Sequence, residues 1–156
     1  MKKLLIIFGV VFLVVIVCIA SVIGFIAVRG SALDKESKAY VDRNVPLIFD
    51  TWDEQAFLSK ASPEFMQVTD KKKLDEDFAG LSHKLGKMLV YEGSDGQANM
   101  NLSVFSRHNG TMVTAVYKTK MIFEAGSASI AVSLIKHGDA WQIAGFNVDS
   151  DVLLKH

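Results

Sequence analysis

The residue types that most readily do chemistry are few in this chain and far apart. Four histidines, His83, His108, His137 and His156, are separated by at least nineteen positions, so no two have the short spacing of a local zinc site. The one cysteine, Cys18, lies inside a long apolar run, which leaves the rest of the chain without disulfide or thiolate chemistry. No strand–turn–helix elbow marks a serine nucleophile. Neither a catalytic residue nor a metal ligand is assigned from the sequence, and no cofactor is implied. Asn101-Leu102-Ser103 and Asn109-Gly110-Thr111 fit the glycan acceptor pattern, but a three-residue match carries little weight without a eukaryotic secretory context.

Charge narrows the classes of partner. Three of the 17 basic residues (Lys2, Lys3, Arg29) precede Gly30, whereas all 17 acidic residues follow it. Residues 30–156 therefore hold 14 basic and 17 acidic residues, a formal net charge of −3. Binding to nucleic acid needs a net basic surface that displaces counterions from phosphates, so that class is set aside. The run Lys71-Lys72-Lys73 is flanked by Asp70, Asp75, Glu76 and Asp77 and reads as the solvated start of a helix.

The elements that would position a site begin with the apolar run itself. Leu4–Val28 carries no charge and follows Met1-Lys2-Lys3. Twenty-five residues at about 1.5 Å each suffice to cross about 30 Å of hydrocarbon with some tilt. Cleavage after Cys18-Ile19-Ala20 would leave the greasy stretch Ser21–Val28 as a new terminus, and Val17 before Cys18 does not suit lipid attachment. The segment is therefore read as a signal anchor over residues 1–29, with the membrane as partner through residues 4–28. Lys2 and Lys3 favour a cytoplasmic N-terminus. The expectation is a single pass through a bacterial inner membrane, with residues 30–156 as a domain in the periplasm or outside.

That domain opens with helical patterning. From Ala32 to about Leu58, Tyr40, Val41, Val45, Ile48, Phe49 and Trp52 recur at three- and four-residue steps, and Pro46 predicts a kink or break. Ser59–Pro63 reads as a connection. A second helix is expected from about Asp70 to Leu85, capped by Asp70, striped by Leu74, Phe78, Leu81 and Leu85, and stopped by Gly86. His83 lies beside that stripe as a boundary residue.

Strand patterning follows: Met88–Glu92, a turn at Gly93-Ser94-Asp95-Gly96, Asn101–Arg107, a His108-Asn109-Gly110 turn, Thr111–Phe123, Ser127–His137 and Trp141–Val148. The short connections make neighbouring strands antiparallel. Val113, Ala115, Tyr117, Thr119, Met121 and Phe123 alternate to one face, against Thr114, Lys118, Lys120 and Glu124. Ile130, Val132 and Leu134 are set against Ser129, Ser133 and Lys136. Gly145 interrupts the alternation after Trp141 and Ile143 and predicts a bulge. Helices first, then antiparallel strands, is an α+β pattern of four to five strands.

Gly110, Tyr117-Lys118-Thr119, Phe123, Val132-Ser133-Leu134 and Gly138-Asp139-Ala140-Trp141-Gln142-Ile143-Ala144-Gly145-Phe146 resemble a family of small exported bacterial domains of unknown function. Those domains end on Gly-x-Trp-x-(Ile/Val)-x-Gly-(Tyr/Phe), and Met121 stands where they more often have Phe. The resemblance covers about residues 35–150. It implies a cystatin/NTF2-like cone, in which helices pack into a strongly bent antiparallel sheet. Residues lining such a cone, Trp52, Tyr117, Thr119, Met121 and Trp141, become candidates for binding an apolar small ligand, or an envelope protein through a peptide. The alternative implied by the resemblance is a small lyase, isomerase or hydrolase, with Tyr117 completed by Asp50 or Asp53 from the first helix. A fold of this kind hosts binding modules and enzymes alike. Nothing in the sequence specifies an oligomeric state.

Overall fold

The computed structural model describes residues 30–101 and 112–154. The chain divides into two compact units, Met1–Leu33 and Asp34–His156, and the second is described here. The apolar run, the strand expected over Asn101–Arg107 beyond its first residue, and the His108–Gly110 turn lie outside the described residues. Among those residues no helix is long and apolar enough to cross a membrane.

The fold is α+β. A long helix, α1 (residues 30–50), is followed by α2 (Glu54–Leu58), α3 (Pro63–Val68) and α4 (Lys71–Leu85). Four strands come next: β1 (Met88–Asn101), β2 (Met112–Phe123), β3 (Gly126–His137) and β4 (Ala140–Asp149). A final turn of helix, α5 (Asp151–Leu154), ends the described chain. The strands form one antiparallel sheet in the order β1-β2-β3-β4.

Helix α1 does not break at Pro46. The chain stays helical to residue 50 and turns at Trp52, which takes a positive φ of 54°. A left-handed residue just past a helix end is a common stop, but a bulky residue there needs support. Trp52 has it: its indole N–H donates to Gly86 O at 2.9 Å, and its ring lies edge-on to Phe49 and stacked on Phe123. Asp53 then caps α2 by accepting from Ala56 N at 2.9 Å.

The expected connection at Ser59–Pro63 leads into a helix that the apolar pattern does not announce. Ser62 caps α3, and Pro63 occupies its first turn, where a missing N–H costs nothing. Just before that cap, Ile143 N donates to Lys60 O and Ser62 N donates to Ile143 O, so this segment covers the open edge of β4. Helix α4 matches expectation in its bounds, its Asp70 cap and its buried Leu74, Phe78 and Leu85, while Leu81 of the expected stripe is half-buried. Gly86 ends it at a φ of 73°, where a side chain would also collide with the Glu124 carboxylate.

The largest departure is in β1. Residues 93–96, expected as a turn joining two strands, lie inside one fourteen-residue strand. Tyr91 pairs with Met121 and Ser94 with Thr119, so three steps along β1 match two along β2. Gly93, at a φ of 93°, provides the left-handed residue for a bulge instead of a turn. The same glycine chemistry serves both ends, and local sequence does not distinguish them. Gly96 then lets β1 approach β2 closely, since a Cβ there would strike the Val116 carbonyl.

Of the expected inward set on β2, Ala115, Tyr117, Thr119, Met121 and Phe123 are buried and Val113 is half-buried. On β3, Ile130, Val132 and Leu134 are buried as expected. Lys136, expected on the wet face, shares their parity. It closes the inward row, with a side chain only 13 % exposed and a bond to Glu36 of α1. The bulge expected at Gly145 is present: Leu134 faces Ile143 and Ser133 faces Gly145, so Ala144 is the extra residue. It shifts the inward phase from Trp141 and Ile143 to Phe146, whose ring packs against Phe49, Phe57 and Phe78. The core is thus an aromatic cluster where α1, α2 and α4 cover the sheet.

Candidate functional site

The five residues proposed from the sequence are all buried. Trp52 and Trp141 are 6 % and 7 % exposed; Tyr117, Thr119 and Met121 are at most 1 % exposed. Three have internal partners. Trp52 is fixed to Gly86, and Thr119 Oγ1 donates to Ile130 O at 3.2 Å. The Tyr117 hydroxyl donates to Asp34 O at 3.0 Å and lies 2.9 Å from Ser37 Oγ, so α1 meets it with a carbonyl and a hydroxyl rather than a carboxylate. Trp141 differs, and the difference leads to the site.

Helix α1 presents two flanks beside its buried stripe of Ser37, Val41, Val45 and Ile48. On one flank Lys38 and Asp42, four apart, reach toward β1. Asp42 Oδ2 accepts from Lys38 Nζ at 2.6 Å. Asp42 Oδ1 accepts from the Tyr91 hydroxyl and from Ser94 Oγ, each at 2.6 Å. Lys38 Nζ also donates to Ser94 Oγ at 3.3 Å. The β1 bulge makes this convergence. Residues three apart on a regular strand point to opposite faces, and the extra residue between Tyr91 and Ser94 turns both toward α1. Burial pushes the Asp42 carboxyl up, but the hydrogen bonds from Lys38, Ser94 and Tyr91 outweigh it and hold the group below the ordinary Asp range. Tyr91 is pushed far above the usual tyrosine range, by burial first and by Asp42 second.

On the other flank Glu36, Tyr40, Arg43 and Asn44 recur at helical spacing and face the β3–β4 turn. With Asp139, Ala140 and Trp141 they line a cleft of about 460 Å³. Lys136 Nζ donates to Glu36 at 2.6 Å and sits 5.5 Å from the centre of the Trp141 ring. The Lys136 hydrogen bond is the main reason the Glu36 carboxyl lies below its ordinary range, and the Trp141 indole adds the weakest pull. Asn44 Nδ2 donates to Tyr40 O at 2.8 Å.

The polar atoms of this flank are not all satisfied. Among the described residues three buried side-chain polar atoms make no close hydrogen bond, and two of them belong to residues that line this cleft: Tyr40 Oη, and Trp141 Nε1, which is left with only its weak pull on Glu36. Burial raises the Tyr40 pKa, so its hydroxyl keeps its proton. An unpaired buried donor costs about 1–3 kcal/mol, and such groups in folded proteins call for an explanation.

A second cleft, of about 520 Å³, lies between α3, α4 and β4, with Phe65, Leu74, Leu81 and Phe146 among its walls. No unpaired buried polar atom marks it among the described residues. His137, at the mouth of the β3–β4 turn, pairs with Glu64 at 3.1 Å, and His83 is exposed on α4. No cluster of three or more potential metal ligands occurs among the described residues.

Of the cleft residues, sequence reasoning named only Trp141 as a binding candidate and counted Tyr40 in the helical stripe. The spacing Glu36, Tyr40, Arg43 was the available signal for a shared flank. No family model, curated protein or solved structure matches the chain.

Proposed function

We propose that this chain is a membrane-tethered, extracytoplasmic binding module whose ligand seats in the cleft between α1 and the β3–β4 turn. One observation carries the reading. Glu36, Tyr40 and Arg43 of α1 and Asp139, Ala140 and Trp141 of the β3–β4 turn, far apart in the sequence, line one cleft. A volume of about 460 Å³ falls within the range of about 300–1,000 Å³ that small-molecule sites occupy.

The tether rests on the uncharged run Leu4–Val28 behind Lys2 and Lys3. A cystatin/NTF2-like relationship is supported by helices packed on an antiparallel sheet with bulges in β1 and β4, and by the Gly138–Phe146 motif, whose Asp139, Ala140 and Trp141 line the cleft.

The enzyme alternative has one observation in its favour, since Tyr91 and Asp42 are the kind of tyrosine–helix carboxylate pair such an enzyme uses. Its weakness is saturation. Asp42 accepts three hydrogen bonds from Lys38, Tyr91 and Ser94, which lowers its basicity, and it holds the tyrosyl proton in place. The pair reads as a clamp of β1 onto α1.

The binding reading is tested by native mass spectrometry of the full chain released gently from detergent micelles. A bound compound of defined mass, lost in Trp141→Phe, is the expected result. A compound retained by both Trp141→Phe and Tyr40→Phe places the ligand elsewhere and overturns the reading.

A further inference from the structure

We infer that the open end of β4, from Phe146 to Val148, takes up an extended peptide as an added strand, in the cleft of about 520 Å³ that α3 and α4 form beside it. The inference is independent of the ligand proposed above.

The backbone phase of β4 fixes which groups are available. Ile143 turns away from β3: its N–H donates to Lys60 O at 2.7 Å, and its carbonyl accepts from Ser62 N at 2.8 Å. Along an antiparallel strand, residues that bond to the neighbour alternate with residues that face away from it. The extra residue Ala144 shifts that count by one. Phe146 and Val148 therefore turn their N–H and C=O groups to the same outer edge as Ile143. Among the described residues neither makes a backbone bond across that edge. Both are half-buried and line the cleft, so a chain lying in it reaches these groups. An unpaired row of this kind is a template for another strand.

The protein itself shows what the edge accepts. Ala61 lies opposite Ile143 as a parallel bridge, the start of a strand along β4. At Pro63 the chain begins α3 and leaves the edge, and the cleft lies beyond that departure.

The walls give the peptide its chemistry. Side chains of an added strand alternate between the helix side and water. Those on the helix side meet Phe65, Leu74 and Leu81. The fit is to a segment with apolar residues at every second position. Asp70 and Asp77 line the cleft against a single Lys73, which favours a basic residue in the segment over an acidic one.

The test uses the full chain in micelles and a short peptide that alternates Val and Thr behind one Lys. Two further forms carry N-methyl groups, one on the Val amides and one on the Thr amides. Only alternate amides of an added strand face β4. The expected result is that the unmethylated peptide slows hydrogen exchange at the Phe146 and Val148 amides, read by NMR. One methylated form then binds more weakly on the order of tenfold, and the other keeps most of its affinity. Val148→Pro removes an edge-facing N–H that makes no bond to β3, a position where proline is tolerated, and weakens the unmethylated peptide by a similar factor.

Other outcomes overturn the inference. Exchange at Phe146 and Val148 that the peptide does not slow at saturating concentration removes the edge site. Equal binding of both methylated forms to the parent chain means adhesion through side chains, without an added strand, whether or not Val148→Pro folds. Slow exchange at the same two amides that depends on protein concentration alone assigns the edge to a second copy of this chain in place of a peptide.

Discussion

The two flanks of α1 use similar residues to opposite ends. Each has a tyrosine, a carboxylate and a lysine. Toward β1, Tyr91, Asp42, Lys38 and Ser94 close on one another, and the Asp42 carboxylate accepts from all three of the others. Toward the β3–β4 turn, Lys136 and Glu36 also pair, but the Tyr40 hydroxyl is buried without a partner. Hydrogen bonds contribute little net stability when made and cost much when a buried partner is missing. The closed flank therefore holds the fold together, whereas the open flank carries a buried hydroxyl whose missing bond costs stability. A polar cluster's residue types do not reveal its role; whether its valences are already met does.

Removing the centre of the closed flank has the largest expected effect. Asp42→Ala deprives Lys38, Tyr91 and Ser94 of their shared acceptor. The side chain is 34 % exposed, so water replaces part of what is lost. A destabilisation of about 2 kcal/mol is expected, read as a lower urea midpoint with an unchanged slope. A loss below about 0.5 kcal/mol would mean that the cluster is solvated and that the two flanks do not differ.

The same carboxylate sets the pH behaviour. Its folded pKa lies below the value of about 3.9 for a free Asp side chain. Its contribution is therefore complete above about pH 4 and is lost as pH falls through the folded value. Tyr91 is shifted the other way, so its contribution is complete below about pH 10 and is lost as pH rises through its raised folded value. Asp42→Asn should flatten the acid limb of stability below pH 4, measured by urea denaturation at several pH values. Glu36→Gln, on the open flank and with a side chain 54 % exposed, should move that limb less. An acid limb governed by Glu36 instead would reverse the assignment of the flanks.

Much of this frame was legible from the sequence because its signals are local. The Asp70 cap, the Leu74–Leu85 stripe and the Gly86 stop lie within one helix, and the strand alternation lies within single strands. Pro46 does not break the helix because Val45, Ile48 and Phe49, buried on both sides of it, carry α1 on to residue 50. Gly93 misled because a left-handed glycine serves a bulge as well as a turn. That one ambiguity hid the closed flank, since only the bulge brings Tyr91 and Ser94 to the same side. Lys38 and Asp42, four apart, were visible as a pair, but their partners over fifty residues away were not. The open flank was half visible: Trp141 stood out in its motif, whereas the missing partner of the Tyr40 hydroxyl is a property of the packed structure alone.

The smallest expected effect separates the flanks most cleanly, because it predicts a difference in sign. Tyr91→Phe and Tyr40→Phe each remove one oxygen and change almost no volume. On the closed flank Tyr91→Phe breaks a 2.6 Å bond to a carboxylate and should cost about 1 kcal/mol. On the open flank Tyr40→Phe removes a hydroxyl that is buried without a partner, and should stabilise the ligand-free chain by about 0.5–1 kcal/mol. Urea denaturation of both variants beside the parent resolves the sign. If Tyr40→Phe also destabilises, its hydroxyl already has a partner, and the vacancy that distinguishes the two flanks does not exist.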